Sequence, residues 1–252
     1  MIGCIIQTRM RSTRLPGKVL LSIDGKNSVL DYVLNQIQNC KTIQNIVIAT
    51  TTNKEDSKIV EFAEKNNINY FRGKSKDVLD RYYQCAKKFS FDKIVRITSD
   101  CPLIDPNVID QVVKKFDNGN FDYVSNTLKR TFPIGLDVEI FSFKALEIAW
   151  NHANLPSERE HVTPYLKKNQ NQFNQFNVEY LRDISDIRVT LDREEDFELI
   201  KLIASKIQKR PILLEDILKL FEKEPNLITI NNKISSNEGY EKSLKNDRIL
   251  KL

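Results

Sequence analysis

Four cations and three hydroxyls crowd into Thr8-Arg9-Met10-Arg11-Ser12-Thr13-Arg14-Leu15-Pro16-Gly17-Lys18, directly after the apolar run Met1-Ile2-Gly3-Cys4-Ile5-Ile6 and Gln7. A loop at the carboxyl end of a first parallel strand is a common phosphate site. Its backbone N–H groups form an anion nest, and Arg and Lys offset the phosphate charge. The stretch is not a P-loop, because G-x-x-x-x-G-K-[ST] is absent, nor is it the G-x-G-x-x-G dinucleotide fingerprint. A solvated basic loop is the plainer alternative. Sequence position and charge density both favour the phosphate role.

Chemistry on a nucleoside triphosphate also needs a hard cation. Mg²⁺ takes one or two carboxylates and fills its remaining positions with phosphate and water oxygens. Two aspartates stand at the ends of strand-like runs. Asp100 follows Lys93–Thr98 and precedes Cys101-Pro102, and Asp192 follows Ile187–Leu191. They are the candidate metal ligands. Asp100 could instead be a turn former before Pro. Asp192-x-x-Glu195 also reads as an N-cap box, with Asp196 on the first helical turn.

The elements that would place these groups can be read from periodicity. Strands are expected at Ile2–Gln7, Asn45–Thr50, Asn69–Phe71 and Lys93–Thr98. Helical stripes run through Val29, Leu30, Val33, Leu34 and Ile37, through Val78, Leu79, Tyr82, Ala86 and Phe89, and through Val108, Ile109, Val112, Val113 and Phe116. That alternation predicts an α/β fold, a Rossmann-like, mostly parallel sheet with helices on both faces. Ligands on such sheets bind beyond the carboxyl ends of the strands. The second half is less regular. Strands are expected at Asp122–Ser125, Asp137–Phe141, Asn177–Leu181 and Ile187–Leu191. Helices are expected at Phe143–Ala153, ended by Pro156, and at Glu194–Ile207. The tail holds an amphipathic helix, Ile212–Phe221, and a polar stretch with Asn231-Asn232 and Ser235-Ser236.

Composition bounds the partners. The chain has 252 residues, enough for one domain with an appendage, so a core needs no staples. No run of about 18 apolar residues exists, so no membrane span is expected. The amino terminus lacks the basic flank, long apolar run and cleavage site of an export signal. With four cysteines, no C-x-x-C and only two histidines, a zinc site is not expected. Reduced thiols in a cytoplasmic protein are. A net charge of +5, spread over helix surfaces, gives no basic stripe for nucleic acid.

Gln7 through Lys18 resembles the R-x-x-S-x-R-[LF]-P-x-K signature of cytidylyltransferases that activate sugar acids, such as the 3-deoxy-manno-octulosonate and acylneuraminate enzymes. The nearest branch is the spore coat polysaccharide biosynthesis cytidylyltransferase-like family. Its pattern recurs in order along nearly the whole chain. It returns in Asp77-Val78-Leu79-Asp80-Arg81-Tyr82, in Arg96-Ile97-Thr98-Ser99-Asp100-Cys101-Pro102-Leu103-Ile104-Asp105-Pro106 and in Tyr123-Val124-Ser125-Asn126-Thr127. Gly135-Leu136-Asp137-Val138-Glu139, Ser157-Glu158-Arg159-Glu160-His161-Val162-Thr163-Pro164-Tyr165 and Asn237-Glu238-Gly239-Tyr240 continue it. The chain departs from the branch at Thr8, Arg11, Ser99 and Ile134, where Ala, Gly, Gly and Asp are usual. Arg11 adds charge and removes backbone freedom, and Ile134 lies in the expected acceptor region.

The resemblance implies a CTP-dependent nucleotidyltransferase of the nucleotide-diphospho-sugar transferase type, in which the aspartates matching Asp100 and Asp192 bind metal. It implies a catalytic domain over 1–210, an acceptor or dimerisation excursion over about 126–182, and a C-terminal helical extension over 211–252. A homodimer is the expected assembly. The nucleotide would meet Gln7, Thr8, Arg9, Met10, Arg11, Ser12, Arg14, Lys18, Thr50, Arg72, Asp77 and Ser99, with Arg72 free to read the cytosine O2. Asp77, Asp80 and Arg81 read equally well as charges at a helix start. A small acidic or phosphorylated acceptor would meet Asn126, Arg130, Asp137, Glu139, Glu158, Arg159 and His161. Arg159 is the natural anion clamp, and His161 is either a base or a hydrogen-bond donor. The expected reaction is in-line attack on the α-phosphorus of CTP, with Arg9, Lys18 and Asp100 as the catalytic residues and Arg14 assisting. The rival classes are a nucleotide-sugar-dependent glycosyltransferase, which usually carries a D-x-D motif absent here, and a non-catalytic nucleotide-binding protein.

Overall fold

The structure, a computed structural model, describes residues 1–12, 14–235, 238–245 and 247. Thr13 of the basic loop, Ser236 and Asn237 lie outside the described residues.

Four parallel strands form the centre: β1 Ile2–Gln7, β2 Asn45–Thr51, β3 Asn69–Gly73 and β4 Lys93–Thr98. Three shorter strands extend the sheet on one side: β5 Tyr123–Ser125, β6 Glu139–Ser142 and β7 Gln175–Asn177. The order is β3-β2-β1-β4-β6-β5-β7, and β6 alone runs against its neighbours. Strand order reverses between β1 and β4, where Gln7 pairs with Thr98. Their carboxyl ends therefore open the crevice in which such sheets bind ligands.

The helices are α1 Val29–Gln38, α2 Ser57–Lys65, α3 Val78–Lys88, α4 Pro106–Asp117, α5 Phe143–His152, α6 Pro156–His161, α7 Pro164–Lys168, α8 Glu194–Lys206, α9 Leu214–Lys223 and α10 Glu238–Lys245. Several starts are written in local sequence. Ser28 and Asp31 form a reciprocal capping box at α1. Asp105 caps α4, with Pro106 at the first helical position. Strands β1, β2 and β4 are largely buried and rich in apolar residues, whereas β3 at the sheet edge is half-buried. Cys4, Ile6, Ile48, Val95 and Ile97 pack under α1, α2, α4, α8 and α9. Ile5, Val47, Ala49 and Ile94 pack under α3 and α5. The sheet is thus covered on both faces, as the alternation predicts. No helix of the described residues is long and apolar enough to cross a membrane. All four cysteines are buried and free of disulfides.

Four expectations change. The strand expected at Asn177–Leu181 lies at Gln175–Asn177, because that segment pairs with β5 and the chain then turns away to bond Tyr180 N–H to Thr131 Oγ1. Ile187–Leu191 is not a strand: it makes one bridge, Arg188 with Ile134. Its partner beyond that bridge is the Asp100 carbonyl, which accepts from Leu191 N–H at 2.8 Å and from Thr190 Oγ1 at 3.0 Å. Gly135 crosses so closely (φ 105°) that a Cβ there would meet Thr190 N at 2.6 Å. Pro156 opens α6 rather than closing the region, since a missing N–H costs nothing at a first helical position. The polar tail contains α10.

Candidate active site

A cavity of about 470 Å³ opens at the carboxyl ends of β1 and β4. The basic loop forms its floor. Gly17 adopts φ 72°, and its N–H reaches back to the Met10 carbonyl at 2.9 Å, which closes the loop before the turn Lys18–Leu20. Buried Asp56 holds the other end, accepting from Met10 N–H at 2.7 Å and from the Thr51 hydroxyl. Arg11 turns outward to Glu55 at 2.6 Å.

Lys18 is buried, and its ammonium sits among three oxygens: Asp100 Oδ2 at 3.1 Å, Asp192 Oδ1 at 2.9 Å and the Leu191 carbonyl at 2.6 Å. Burial opposes the charged ammonium, but Asp100 and Asp192 outweigh it and hold the Lys18 pKa above its usual value. The same attraction outweighs burial at Asp100 and lowers its pKa below the usual carboxylate range. Arg14 reaches Asp192 at 2.7 Å, and Arg188 reaches it at 3.4 Å. The N-cap box expected at Asp192 belongs to Asp196 instead. Asp196 accepts from the backbone N–H groups of Asp192 and Arg193, pairs with Arg188 at 2.8 Å and is fully buried. Its position three residues into the helix lets its carboxylate reach back to those donors, leaving the Asp192 side chain to the cavity.

The opposite wall carries buried Arg81 and half-buried Arg96. Arg96 projects from β4 and pairs with Glu139, while Arg81 projects from α3 and donates to the Lys74 carbonyl at 3.1 Å. Buried Gln7 Oε1, Thr8 Oγ1, Arg81 Nε and Arg96 Nε have no partner among the described residues, and all four residues line the cavity. Unsatisfied buried polar groups are uncommon, so a cluster of them marks where a polar ligand can complete them.

Of the expected nucleotide residues, Gln7, Thr8, Arg9, Arg11, Ser12, Arg14, Lys18 and Ser99 line this cavity, together with Asp100 and Asp192. Met10, Thr50, Arg72 and Asp77 do not. Arg72 is not free to read a base: it donates to the carbonyls of Thr51 at 2.9 Å and Asn53 at 2.8 Å, bracing the end of β2. Asp77 caps α3. Among the expected acceptor residues only His161 is on the wall. Arg159 is turned away by a bidentate pair with Asp77 at 3.0 and 2.6 Å, and it also donates to the Trp150 carbonyl. Asn126 is spent on the Leu136 carbonyl and Val138 N–H. Arg130 is paired with Asp137, and Glu158 accepts from N–H groups before α6. Glu139 is buried under four donors, Arg96, Tyr123, Thr163 and Lys167. Burial raises its pKa, but Lys167 and Arg96 dominate and hold it well below the usual range. These groups stiffen the wall behind the cavity.

The reading of spacing misses Arg96, Glu160, Pro156, Gly239 and Ser243, which all line the cavity. Arg96 leaves a trace: a cation in the middle of an otherwise apolar strand requires a buried partner or a ligand. Glu160 and Gly239 sit in stretches that carry the family pattern, but spacing gives no role to Pro156 or Ser243, which reach the site only through tertiary packing.

The cytidylyltransferase family model matches residues 3–234. An uncharacterised protein of Methanocaldococcus jannaschii is 40% identical over 233 residues, covering 91% of this chain and 94% of that one. Spore coat polysaccharide biosynthesis protein SpsF of Bacillus subtilis is 31% identical over 238 residues, covering 89% and 95%. A solved cytidylyltransferase from Leptospira borgpetersenii superposes with a TM-score of 0.86 at 38% identity, covering 90% of this chain and 96% of its own. The fold is the Rossmann-like one of nucleotide-diphospho-sugar transferases, and the chain belongs to the cytidylyltransferase family, as a nucleotidyltransferase.

Proposed function

We propose that this enzyme moves CMP from CTP to a small sugar acid or phosphorylated acceptor and releases pyrophosphate. The observation that carries this reading is the meeting of Lys18, Arg14, Asp100 and Asp192 where β1 and β4 end. Cations on one side and paired carboxylates on the other suit a triphosphate with its counter-ion. The choice of CTP is supported by family membership. Two carboxylates that already share one ammonium are a fitting donor set for Mg²⁺, a hard cation that keeps phosphate and water oxygens in its shell. Bound there, Mg²⁺ would supply charge neutralisation on the phosphate oxygens. Lys18, released from the aspartates, and Arg14 and Arg9 then hold the charge that grows on the α-phosphoryl group and the departing pyrophosphate. Arg81 and Arg96 offer their unpaired Nε–H groups to the ligand from the opposite wall.

A pyrophosphate-release screen tests this. Each of the four NTPs is crossed with sugar acids, polyol phosphates and phosphonates, with Mg²⁺ or with EDTA. Release is expected with CTP and Mg²⁺ for at least one acceptor. Equal or faster release with ATP or GTP, or full release in EDTA, would overturn the reading.

A further inference from the structure

Helix α10 lies beyond residue 234, where the family match ends, yet two of its residues line the cavity. Gly239 lies beside Arg14 of the basic loop, and a Cβ built there would be 3.8 Å from the guanidinium. Tyr240 meets the His161 ring edge-on, with centroids 5.1 Å apart. Asp247 accepts from Ser157 N–H and Oγ at 2.8 and 2.7 Å, tying the residue just past α10 to α6.

Between these contacts stands Ser243. Its Oγ is 3.0 Å from His161 Nε2, 3.0 Å from Glu160 Oε2 and 3.2 Å from the Gly239 carbonyl. A hydroxyl has one proton to give. Carboxylate and carbonyl oxygens can only accept, so that proton goes to one of them. The contact with Nε2 is then filled by a hydrogen on the nitrogen. No hydrogen bond of the described residues engages Nδ1 of His161.

We propose that Ser243 completes a Glu160–Ser243–His161 relay that fixes His161 with its proton on Nε2 and leaves Nδ1 to take the proton of an acceptor hydroxyl. The chemical step rests on the CTP reading above. The acceptor O–H bond breaks and its proton passes to Nδ1. The oxygen forms its bond to the α-phosphorus, and pyrophosphate leaves with the bonding pair. The resulting imidazolium keeps its Nε2 proton on Ser243, whose own proton faces the Glu160 carboxylate. Ser243 is a positioning residue, and the relay serves a neutral hydroxyl nucleophile; an anionic phosphate oxygen would not need it.

Two further observations agree. Val162, next to His161, is fully buried at φ 72° with Thr163 N–H bonded to the His161 carbonyl, a tight turn that a β-branched residue rarely adopts. Such strain persists where the surroundings hold it and clusters at functional sites. Burial lowers the His161 pKa and so favours the neutral imidazole; Glu160 opposes that shift, and the charges of Arg96, Lys167 and Arg9 add to it.

The test reads tautomers directly. The chain has two histidines. The other, His152, places Nδ1 2.8 Å from the Ile148 carbonyl, which requires the opposite tautomer. Long-range ¹H–¹⁵N spectra of the full chain, assigned with His152→Gln, should show His161 protonated on Nε2 and His152 on Nδ1. Ser243→Ala should mix the His161 tautomers, and Ser243→Thr should keep them. Glu160→Gln should lower the His161 pKa further. An Nδ1–H tautomer in the wild type, or an unchanged His161 signal in Ser243→Ala, would overturn the relay. These spectra need no nucleotide, so a failed pyrophosphate screen would reject the CTP reading and leave this result standing or falling separately. With turnover in hand, Ser243→Ala should lower kcat with the KM for CTP unchanged, and less severely than His161→Gln. A rise in the KM for CTP alone would also count against it.

Discussion

Lys18 pairs with Asp100 and Asp192, and that pairing sets what its loss would do. Lys18→Ala removes a stabiliser of charge that grows in the transition state, so kcat should fall by roughly 10²–10³. Lys18→Arg should rescue only in part, because a planar fork does not replace a compact ammonium. Steady-state kinetics in CTP decides it: a raised KM with an intact kcat would mean uniform binding and no catalytic role. Glu139 belongs to the same scale. Its folded pKa lies below the unfolded value, so it contributes stability that is complete above about pH 4.3 and lost as pH falls below that. Glu139→Gln should therefore cost about 3–5 kcal/mol at pH 7, by stranding Arg96 and Lys167, and should flatten the acid limb of stability. Urea midpoints measured from pH 7 down to pH 3 would show this, and an acid limb as steep as the wild type's would refute it. The charges themselves were legible from residue types. Which carboxylate each cation would meet was not, since Lys18 and Asp192 are far apart in the chain.

At the level of elements, the start of α8 separates two aspartates that look alike in sequence. Asp196 is fully buried, closes the helix start and carries Arg188 and Asn231. Asp196→Ala should cost about 3–5 kcal/mol, the scale of a broken buried pair. Asp192 faces the cavity, and Asp192→Ala should cost no more than about 1 kcal/mol while removing activity. Equal losses in chemical denaturation would make Asp192 a structural residue. Strands β1, β2 and β4 and helices α1, α3 and α4 were readable because their apolar periods are long, whereas α2 was not expected. Ile187–Leu191 misled because a run of alternating apolar residues can pair with a single peptide, here that of Asp100, as well as with a strand. The segment Asn126–Arg159 misled in another way. Its ionisable residues suggested a polar ligand, yet they have protein partners, most of them from other elements: Arg159 with Asp77, Glu139 with Arg96 and Lys167, and Arg130 with Asp137 within the segment itself.

For the whole molecule, ligand binding should appear as added stability. A nucleotide at about 100 times its Kd adds roughly 2.7 kcal/mol. For a chain of this size that raises Tm by roughly 5–10 °C. CTP with Mg²⁺ should give this shift in a thermal scan, and the other three NTPs should give less. A larger shift with ATP or GTP would move the base preference away from cytosine.

The sequence by itself determined the layered sheet, the basic loop after its first strand and the strand-end aspartate Asp100, because periodicity and local order are properties of neighbouring residues. Tertiary structure decided which charges remain for a ligand. Arg72 and Arg159 are consumed by bracing contacts, whereas Arg81, Arg96, Gln7 and Thr8 keep buried polar atoms without partners among the described residues. It also brought Ser243 to His161 across 82 residues of chain. A side chain's availability depends on every group packed against it, and those groups come from elements that one-dimensional spacing does not relate.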